Sequence, residues 1–255
     1  MSSWSPGSLA PQPAAASRSQ MLTAQTRTEL TLALRNAEQV LLTLVIPLGL
    51  LVVLTEVPFV SVAGPRVDFF VPGVLALAVM SSAFTGQAIA TGFEREYGVL
   101  KRLGATPLPR SVLLLAKTLG VLGVELLQLV LIAGVGLALG WEPHGSVLGV
   151  LALVALGTAA FAGLGLLLGG TLRGLTTLAA ANLVWFVLLL LGGVVFPLSQ
   201  FAGAEDVLRL LPTAALSDGL RQLLQHGHLA ARDLATLAVW AVASLAAATK
   251  AFRWE

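Results

Sequence analysis

Gly92-Phe93-Glu94-Arg95-Glu96-Tyr97-Gly98-Val99-Leu100-Lys101-Arg102-Leu103-Gly104-Ala105-Thr106-Pro107-Leu108-Pro109-Arg110 holds 6 of the 28 charged residues of this chain (15 Lys+Arg, 13 Asp+Glu) and lies between long apolar runs. A dense ionic segment in that position is not core; it is a surface that meets water or a partner. Glu94 and Glu96 open the segment and Lys101 and Arg102 close it, the order that suits a helix dipole. Glu94 and Gly98, like Arg95 and Val99, stand one turn apart. Gly104, Pro107 and Pro109 then stop the helix. The pattern predicts a short charged helix over 94–103. The plainer alternative is a loop that only supplies charge to one membrane face.

The composition around this segment makes the bilayer the solvent. Of 255 residues 56% are hydrophobic and 11% charged, against roughly 25% charged in soluble domains. Basic and acidic residues nearly balance, so the pI near 9.5 does not point to nucleic acid. The absence of cysteine excludes disulfides, thiolate metal sites and cysteine nucleophiles. Residues 1–20, rich in Ser, Pro and Ala, lack the layout of a signal peptide and read as a disordered cytosolic tail. Residues 21–255 form one transmembrane domain.

A crossing needs about 20 apolar residues. Six segments qualify, near 39–57, 69–90, 112–139, 147–169, 176–196 and 233–249, the last short and alanine-rich. Pro47 and Pro72 are tolerated in such helices. Gly136-x-x-x-Gly140 and Gly165-x-x-x-Gly169 either let helices approach closely or reflect a glycine-rich composition. With the N-terminus inside, the inner face carries Arg18, Arg27, Arg35, Arg95, Lys101, Arg102, Arg110, Lys117, Arg173, Lys250 and Arg253. The outer face keeps Arg66, Arg209, Arg221 and Arg232. That bias sets both termini inside. Thr26-x-x-Glu29 is a capping box that starts a helix at Arg27. Leu30, Leu34, Ala37 and Leu41 then oppose Arg27, Thr31, Arg35 and Glu38, an amphipathic helix suited to the inner membrane surface. The outer connection 197–232 is too apolar for a free loop and reads as short helices on or in the outer leaflet.

Three motifs carry a resemblance. The inner segment reads Glu94-Arg95-Glu96-Tyr97-Gly98-Val99-Leu100 and Thr106-Pro107-Leu108-Pro109-Arg110. The fifth span leaves through Gly192-Gly193-Val194-Val195-Phe196-Pro197-Leu198. The outer connection holds Leu211-Pro212-Thr213 and Asp218-Gly219-Leu220-Arg221. In order and spacing, from about residue 27 onwards, these resemble the type-2 ABC-transporter permeases, particularly bacterial drug and antibiotic exporters of daunorubicin-resistance type. A Pro-Trp pair frequent in that family is replaced here by Ala202-Gly203-Ala204-Glu205-Asp206-Val207, which bears on the geometry of the outer loop.

The resemblance implies an all-α integral membrane fold with six spans, an interfacial amphipathic helix, a cytosolic coupling helix and a partly helical outer loop. It implies a bacterial cell-membrane location and a separate cytosolic ATPase that holds ATP and Mg, since this chain has no phosphate-binding loop. It also implies a second permease copy or paralogue. The coupling helix would sit in a groove of the ATPase through Glu94, Arg95, Glu96, Gly98, Leu100, Lys101 and Arg102. Gly98 would permit close packing, and the charges at 94–96 would pair with the ATPase or with the helix at 27–38. The second and fifth spans would line the pathway, which makes Ser81, Ser82, Thr85, Gln87 and Asn182 candidates for substrate contact. Their alternative is hydrogen bonding to their own helix.

Glu125, at bilayer depth with Gln128 one turn on, is either a polar pathway or coupling element or a structural carboxylate bonded through Gln128. Lys117 is placed to snorkel to the inner face. Phe196 suits an outer gate or an interfacial aromatic belt, with Pro197, Pro212, Asp218 and Arg221 in the loop beyond. His226-x-His228 lacks a third ligand nearby, and no metal site is expected. Three further classes share the membrane setting. An ion-coupled secondary transporter needs more intramembrane charge than Glu125 supplies. A membrane sensor or regulatory subunit would use the same inner loop. An intramembrane protease is disfavoured by the absence of Gly-x-Ser-x-Gly and of any histidine within a span.

Overall fold

The computed structural model describes residues 15–252 apart from 59, 63 and 202, with backbone only at 37–40 and 42. The described residues are helical, with no strand among them. Helix α1 (Arg18–Arg35) begins nine residues before the expected start. Ser17 is its cap: the Ser17 hydroxyl accepts from Gln20 N–H, and Ser17 N–H donates to the Gln20 side chain at 3.0 Å. The capping box was therefore Ser17-x-x-Gln20. Thr26 sits mid-helix because nothing between 18 and 35 is Gly or Pro. Residues 1–14 of the expected tail, and Arg253, lie outside the described residues, as do the side chains of Ala37 and Glu38.

Rather than only lying along a surface, α1 packs on α6 (Arg110–Ala138). Gly120 and Gly123 of α6 leave room there for Glu29 and Leu30, while Leu32 and Leu34 stay exposed. Helix α2 (Ala37–Glu56) carries Pro47 and a shorter apolar run, Thr43–Glu56. Its end is capped from outside: Arg66 donates to the Leu54 and Thr55 carbonyls of α2 and to the Val57 and Val60 carbonyls just beyond it at 2.5–3.0 Å, which satisfies groups a helix end leaves open.

The second expected span is longer than its apolar run. It runs unbroken from Arg66 to Glu96 as α3 (Arg66–Val79), a π-helical turn (Met80–Gly86) and α4 (Gln87–Glu96). At 31 residues and 1.5 Å each it reaches about 46 Å, well beyond a ~30 Å hydrocarbon layer. Helix α5 (Val99–Gly104) follows, then α6, α7 (Val147–Gly169), α8 (Gly174–Leu191), α9 (Glu205–Leu208), α10 (Pro212–His226) and α11 (Ala231–Ala251). Five helices among the described residues are long and apolar enough to cross a membrane: Arg66–Glu96, α6, α7, α8 and α11. Helix α8 stops five residues before the expected end of its span. Gly193 takes a left-handed φ of +71°, and a Cβ at Gly192 would strike Thr213.

Helix α3 is buried almost throughout and forms the centre: its Phe70 and Leu77, with Met80 of the π-helical turn, share one core with Phe161, Leu216 and Leu220. Helix α7 packs on α4, α10 and α11. Gly165 and Gly169 let it touch the bulged helix backbone to backbone: a Cβ at either would meet Ala83, Phe84 or Ala88 carbonyls. That pair is a close-approach motif. Gly136-x-x-x-Gly140 is not, because Gly136 faces Val71 and Trp141 whereas Gly140 turns the chain at φ +87°. The outer connection is helical as expected, but α10 does not turn its apolar face to lipid. Ala214, Ala215, Leu216, Leu220, Leu223 and Leu224 are buried against the protein.

Candidate functional site

The inner segment is two helices, not one. Gly98 has φ +71° and ends α4, so Glu94, Arg95 and Glu96 lie at the C-terminal end of the long helix, where carboxylates oppose the dipole. Nothing lies within 4 Å of the place a Gly98 Cβ would occupy. This glycine makes a turn that L side chains resist, not a close packing contact. Leu100 is fully buried with Leu113, Leu114, Leu166, Ala248 and Phe252 and anchors α5 to three other helices. Glu96, Tyr97, Val99, Lys101 and Arg102 are the outward surface, Tyr97 being 68% exposed.

What offsets the dipole at Glu94 comes from α6. Lys117, 2% exposed, donates to Glu94 Oε1 at 2.8 Å and to Glu29 Oε2 at 3.1 Å, with Glu94 Oε2 at 2.7 Å from the same nitrogen. Lys117 therefore does not snorkel; it ties α1, α4 and α6 at one point. Arg95 turns the other way and donates to the Gly170 and Leu172 carbonyls at 3.4 and 3.3 Å, at the end of α7.

Two cavities flank the π-helical turn. One of about 700 Å³ lies between α1, α2, α4 and α6 and is lined by Glu29, Glu94, Lys117, Ser82 and Gln87. The other, about 770 Å³, lies between α2, the bulged helix and α8, lined by Ser81, Thr85, Asn182, Leu77, Phe93 and Trp185. Asn36, Thr43, Gly86 and Ala90 border both. The expected second- and fifth-span residues are thus brought together, with Ser82 facing the other side. Ser81 accepts from Trp185 Nε1 at 2.9 Å, and Ser82 donates to Gln128 Oε1 at 3.0 Å. Neither hydroxyl is spent on its own helix in these bonds. A π-helical turn frees backbone groups and often marks a site of function.

Glu125 lines neither cavity. It is 1% exposed and bonded to Thr158 of α7, while Gln128 donates to the Thr43 carbonyl at 2.9 Å. The expected Glu125–Gln128 pairing is absent from the bonds these residues make. At the outer end, Phe196 packs on the main core and Pro212 begins α10. Arg221 donates to Asp218 at 2.7 Å and to the Gly193 carbonyl at 2.9 Å, and stacks 3.9 Å from the Phe69 ring. Burial pushes the Asp218 carboxyl up against the pull of Arg221, and pushes the Arg221 guanidinium down. These groups form a clamp joining α3, α8 and α10.

The sequence profile of the family described as ABC-2 family transporter protein matches residues 24–250. The chain belongs to the ABC-2 transporter family. A comparison with curated proteins found no match. The family match runs from within α1 almost to the end of α11, so both cavities, the Lys117 cluster and the outer clamp fall inside it. This ABC-2 protein is a multi-pass membrane subunit of a transporter rather than an enzyme.

Sequence reading missed Trp185 and the bridging role of Lys117. For Lys117 a signal was present: it is seven residues into α6, in an apolar run whose near-balancing carboxylates lie far off in sequence. Trp185 carried none, since an aromatic among Leu and Val reads as lipid-facing.

Proposed function

We infer that this chain is the permease subunit of an ATP-driven exporter that moves amphipathic or hydrophobic compounds, of the drug, antibiotic or lipid-like kind, out of a bacterial cell. The observation that carries the reading is the Lys117 cluster. It joins α1, α4 and α6 directly beside the charged cavity, so a push on the α4–α5 turn is transmitted to the walls of the cavities rather than lost in a loop. In this reading α2 is the sixth crossing, both termini face the cytosol, and the exposed edge of the α4–α5 turn and α5 (Tyr97, Val99, Lys101 and Arg102) meets a separate ATPase that holds ATP and Mg. Glu94, Arg95 and Leu100 position that edge from within. A second permease copy or a paralogue completes the pathway. Closure of the ATPase pair then shifts the spans between inward- and outward-open arrangements, a rigid-body movement biased by nucleotide.

The direct test is ATP-dependent uptake of an amphipathic dye into inside-out membrane vesicles that contain the chain and its ATPase. Uptake that needs ATP and is lost on substituting the exposed α5 residues supports the reading. Uptake driven by an imposed proton gradient without ATP would overturn it in favour of ion coupling. The contacts of Glu125 give ion coupling no support, since it is bonded to Thr158 away from both cavities.

A further inference from the structure

Another pocket, of about 280 Å³, lies beside Phe69, at the opposite end of the long helix from the α4–α5 turn. It is walled by the 197–199 segment, α9, α10 and the start of α11. One wall, α9, comes from the stretch that stands in place of the Pro-Trp pair. Three arginines, Arg209, Arg221 and Arg232, and three carboxyls, Glu205, Asp218 and Asp233, line it. Two pairs close on themselves, Arg209 with Glu205 at 2.6 Å and Arg221 with Asp218 at 2.7 Å. Arg232 and Asp233 make no ion pair or side-chain hydrogen bond among the described residues. They are adjacent on α11, and neighbours on a helix point about 100° apart, so they do not meet each other. Asp233 is 9% exposed, in room left by Gly219 of α10, where a Cβ would lie 3.2 Å from the Asp233 Cβ; Arg232 is exposed. Arg209 is half engaged: Nη2 donates to Glu205 and Nη1 to nothing.

A buried carboxyl is ordinarily partnered, and here the missing partner must come from the pocket. With a spare guanidinium at the rim and no net charge in the lining, the complement is a zwitterion. Asp233 calls for an N–H donor, which a primary ammonium has and a trimethylammonium lacks. Phe69 is the aromatic ring in the lining and already stacks under Arg221 at 3.9 Å, so no aromatic cage awaits a quaternary ammonium. Apolar surface adjoins the pocket. Val207 and Leu210 are 68% and 56% exposed, and Trp240 of α11 donates to the Leu210 carbonyl at 2.8 Å, an anchor of the kind found at membrane interfaces. A lipid brings a charged headgroup and an apolar body to one such place. We propose that this pocket holds the headgroup of a phosphatidylethanolamine-type lipid, with phosphate oxygens accepting from Arg232 and Arg209, the ammonium donating to Asp233, and the acyl chains along Val207 and Leu210. The site is separate from the two cavities and from the export path. Its side of the membrane rests on the orientation inferred above; the binding does not.

The test is native mass spectrometry of the full-length chain in mild detergent, offered equal amounts of phosphatidylethanolamine, phosphatidylcholine and phosphatidylglycerol with identical acyl chains. The choline lipid keeps the positive charge without an N–H, and the glycerol lipid keeps the phosphate without the ammonium. Phosphatidylethanolamine should be retained about tenfold over both, the weight of one hydrogen bond to a charged group. Asp233→Asn should remove most of that preference and leave phosphatidylglycerol retention unchanged. Arg232→Gln should weaken phosphatidylethanolamine and phosphatidylglycerol alike. Equal retention of the three lipids, or an undiminished preference in a folded Asp233→Asn protein, would overturn the proposal. Should Asp233→Asn not fold, Arg232→Gln alters an exposed side chain without contacts, and unchanged retention there would refute the site. Soluble glycerophosphoethanolamine in equimolar amount should not displace the lipid; displacement would assign the pocket to a free zwitterion and overturn the lipid assignment. No ATPase or nucleotide takes part, so failure here leaves the export reading standing, and failure of ATP-dependent uptake leaves this site standing.

Discussion

Replacing Lys117 with methionine tests how far the inner cluster holds the fold together. The ammonium lies 2.7–3.1 Å from two carboxylates and is 2% exposed, while Glu29 and Glu94 are 16% and 24% exposed. With an effective dielectric near 20, each pair at about 3 Å attracts by roughly 5.5 kcal/mol before desolvation. Taking three charges out of water removes most of that gain. Deleting the cation leaves two carboxylates facing one another, and breaking a buried pair in this way costs about 3–5 kcal/mol. At roughly 2–4 °C per kcal/mol for a chain of this size, the unfolding midpoint should fall by about 6–20 °C. The assay is thermal unfolding of wild type, Lys117→Met and Lys117→Met/Glu94→Gln in the same nanodiscs. The double variant removes one of the stranded charges and should recover part of the loss. A midpoint within 2 °C of wild type, or a double variant no better than the single, would refute the argument.

Gly98→Ala should destabilise the α4–α5 turn by about 1–2 kcal/mol through its left-handed backbone alone, since a Cβ there meets nothing. Limited proteolysis at 97–105 is the readout, and unchanged cleavage counts against the turn. Gly169→Leu should cost at least as much as Gly98→Ala, because the side chain would meet Ala88 and Gly92 backbone; overpacking of this kind costs about 1–3 kcal/mol or more. Loss of folded, monodisperse protein checks it. Because burial holds the Asp218 carboxyl above its ordinary range, the folded state binds that proton more tightly than the unfolded chain. Its contribution to stability is then fully present below the ordinary carboxylate range and declines as pH rises through the raised value. Relative to Asp218→Asn, wild type should lose no stability when the pH is lowered from 7 towards 4, and a relative fall in its unfolding midpoint would contradict the sign.

Much of the fold is legible in the sequence because the bilayer demands long apolar runs, and the runs at 112–139 and 147–169 coincide closely with α6 and α7. What is not legible depends on contacts distant along the chain. Glu94 and Glu96 look like a helix start by their charge, yet they end one, and only Lys117 on another helix makes that tolerable. Gly98 looks like a packing glycine, and its φ reveals a turn. Two capping boxes of similar quality begin near α1, and local chemistry alone does not rank Ser17-x-x-Gln20 above Thr26-x-x-Glu29. The candidate pathway residues were readable as polar marks on apolar helices. Their division between two cavities was not, because it depends on which neighbouring helix packs against each side of this one, α6 beside Ser82 and α8 beside Ser81.

The measurement that bears most directly on the central claim is co-purification of the tagged chain from its native membranes in mild detergent. Wild type is compared with a Tyr97→Ala, Lys101→Glu, Arg102→Glu variant, which alters the exposed edge of the inner segment and spares the buried cluster. The account predicts that an ATPase accompanies wild type and is lost from the variant, while both proteins remain folded with the same unfolding midpoint. A folded wild-type chain that brings no ATPase, or a variant that retains it in full, would contradict the assignment of this surface.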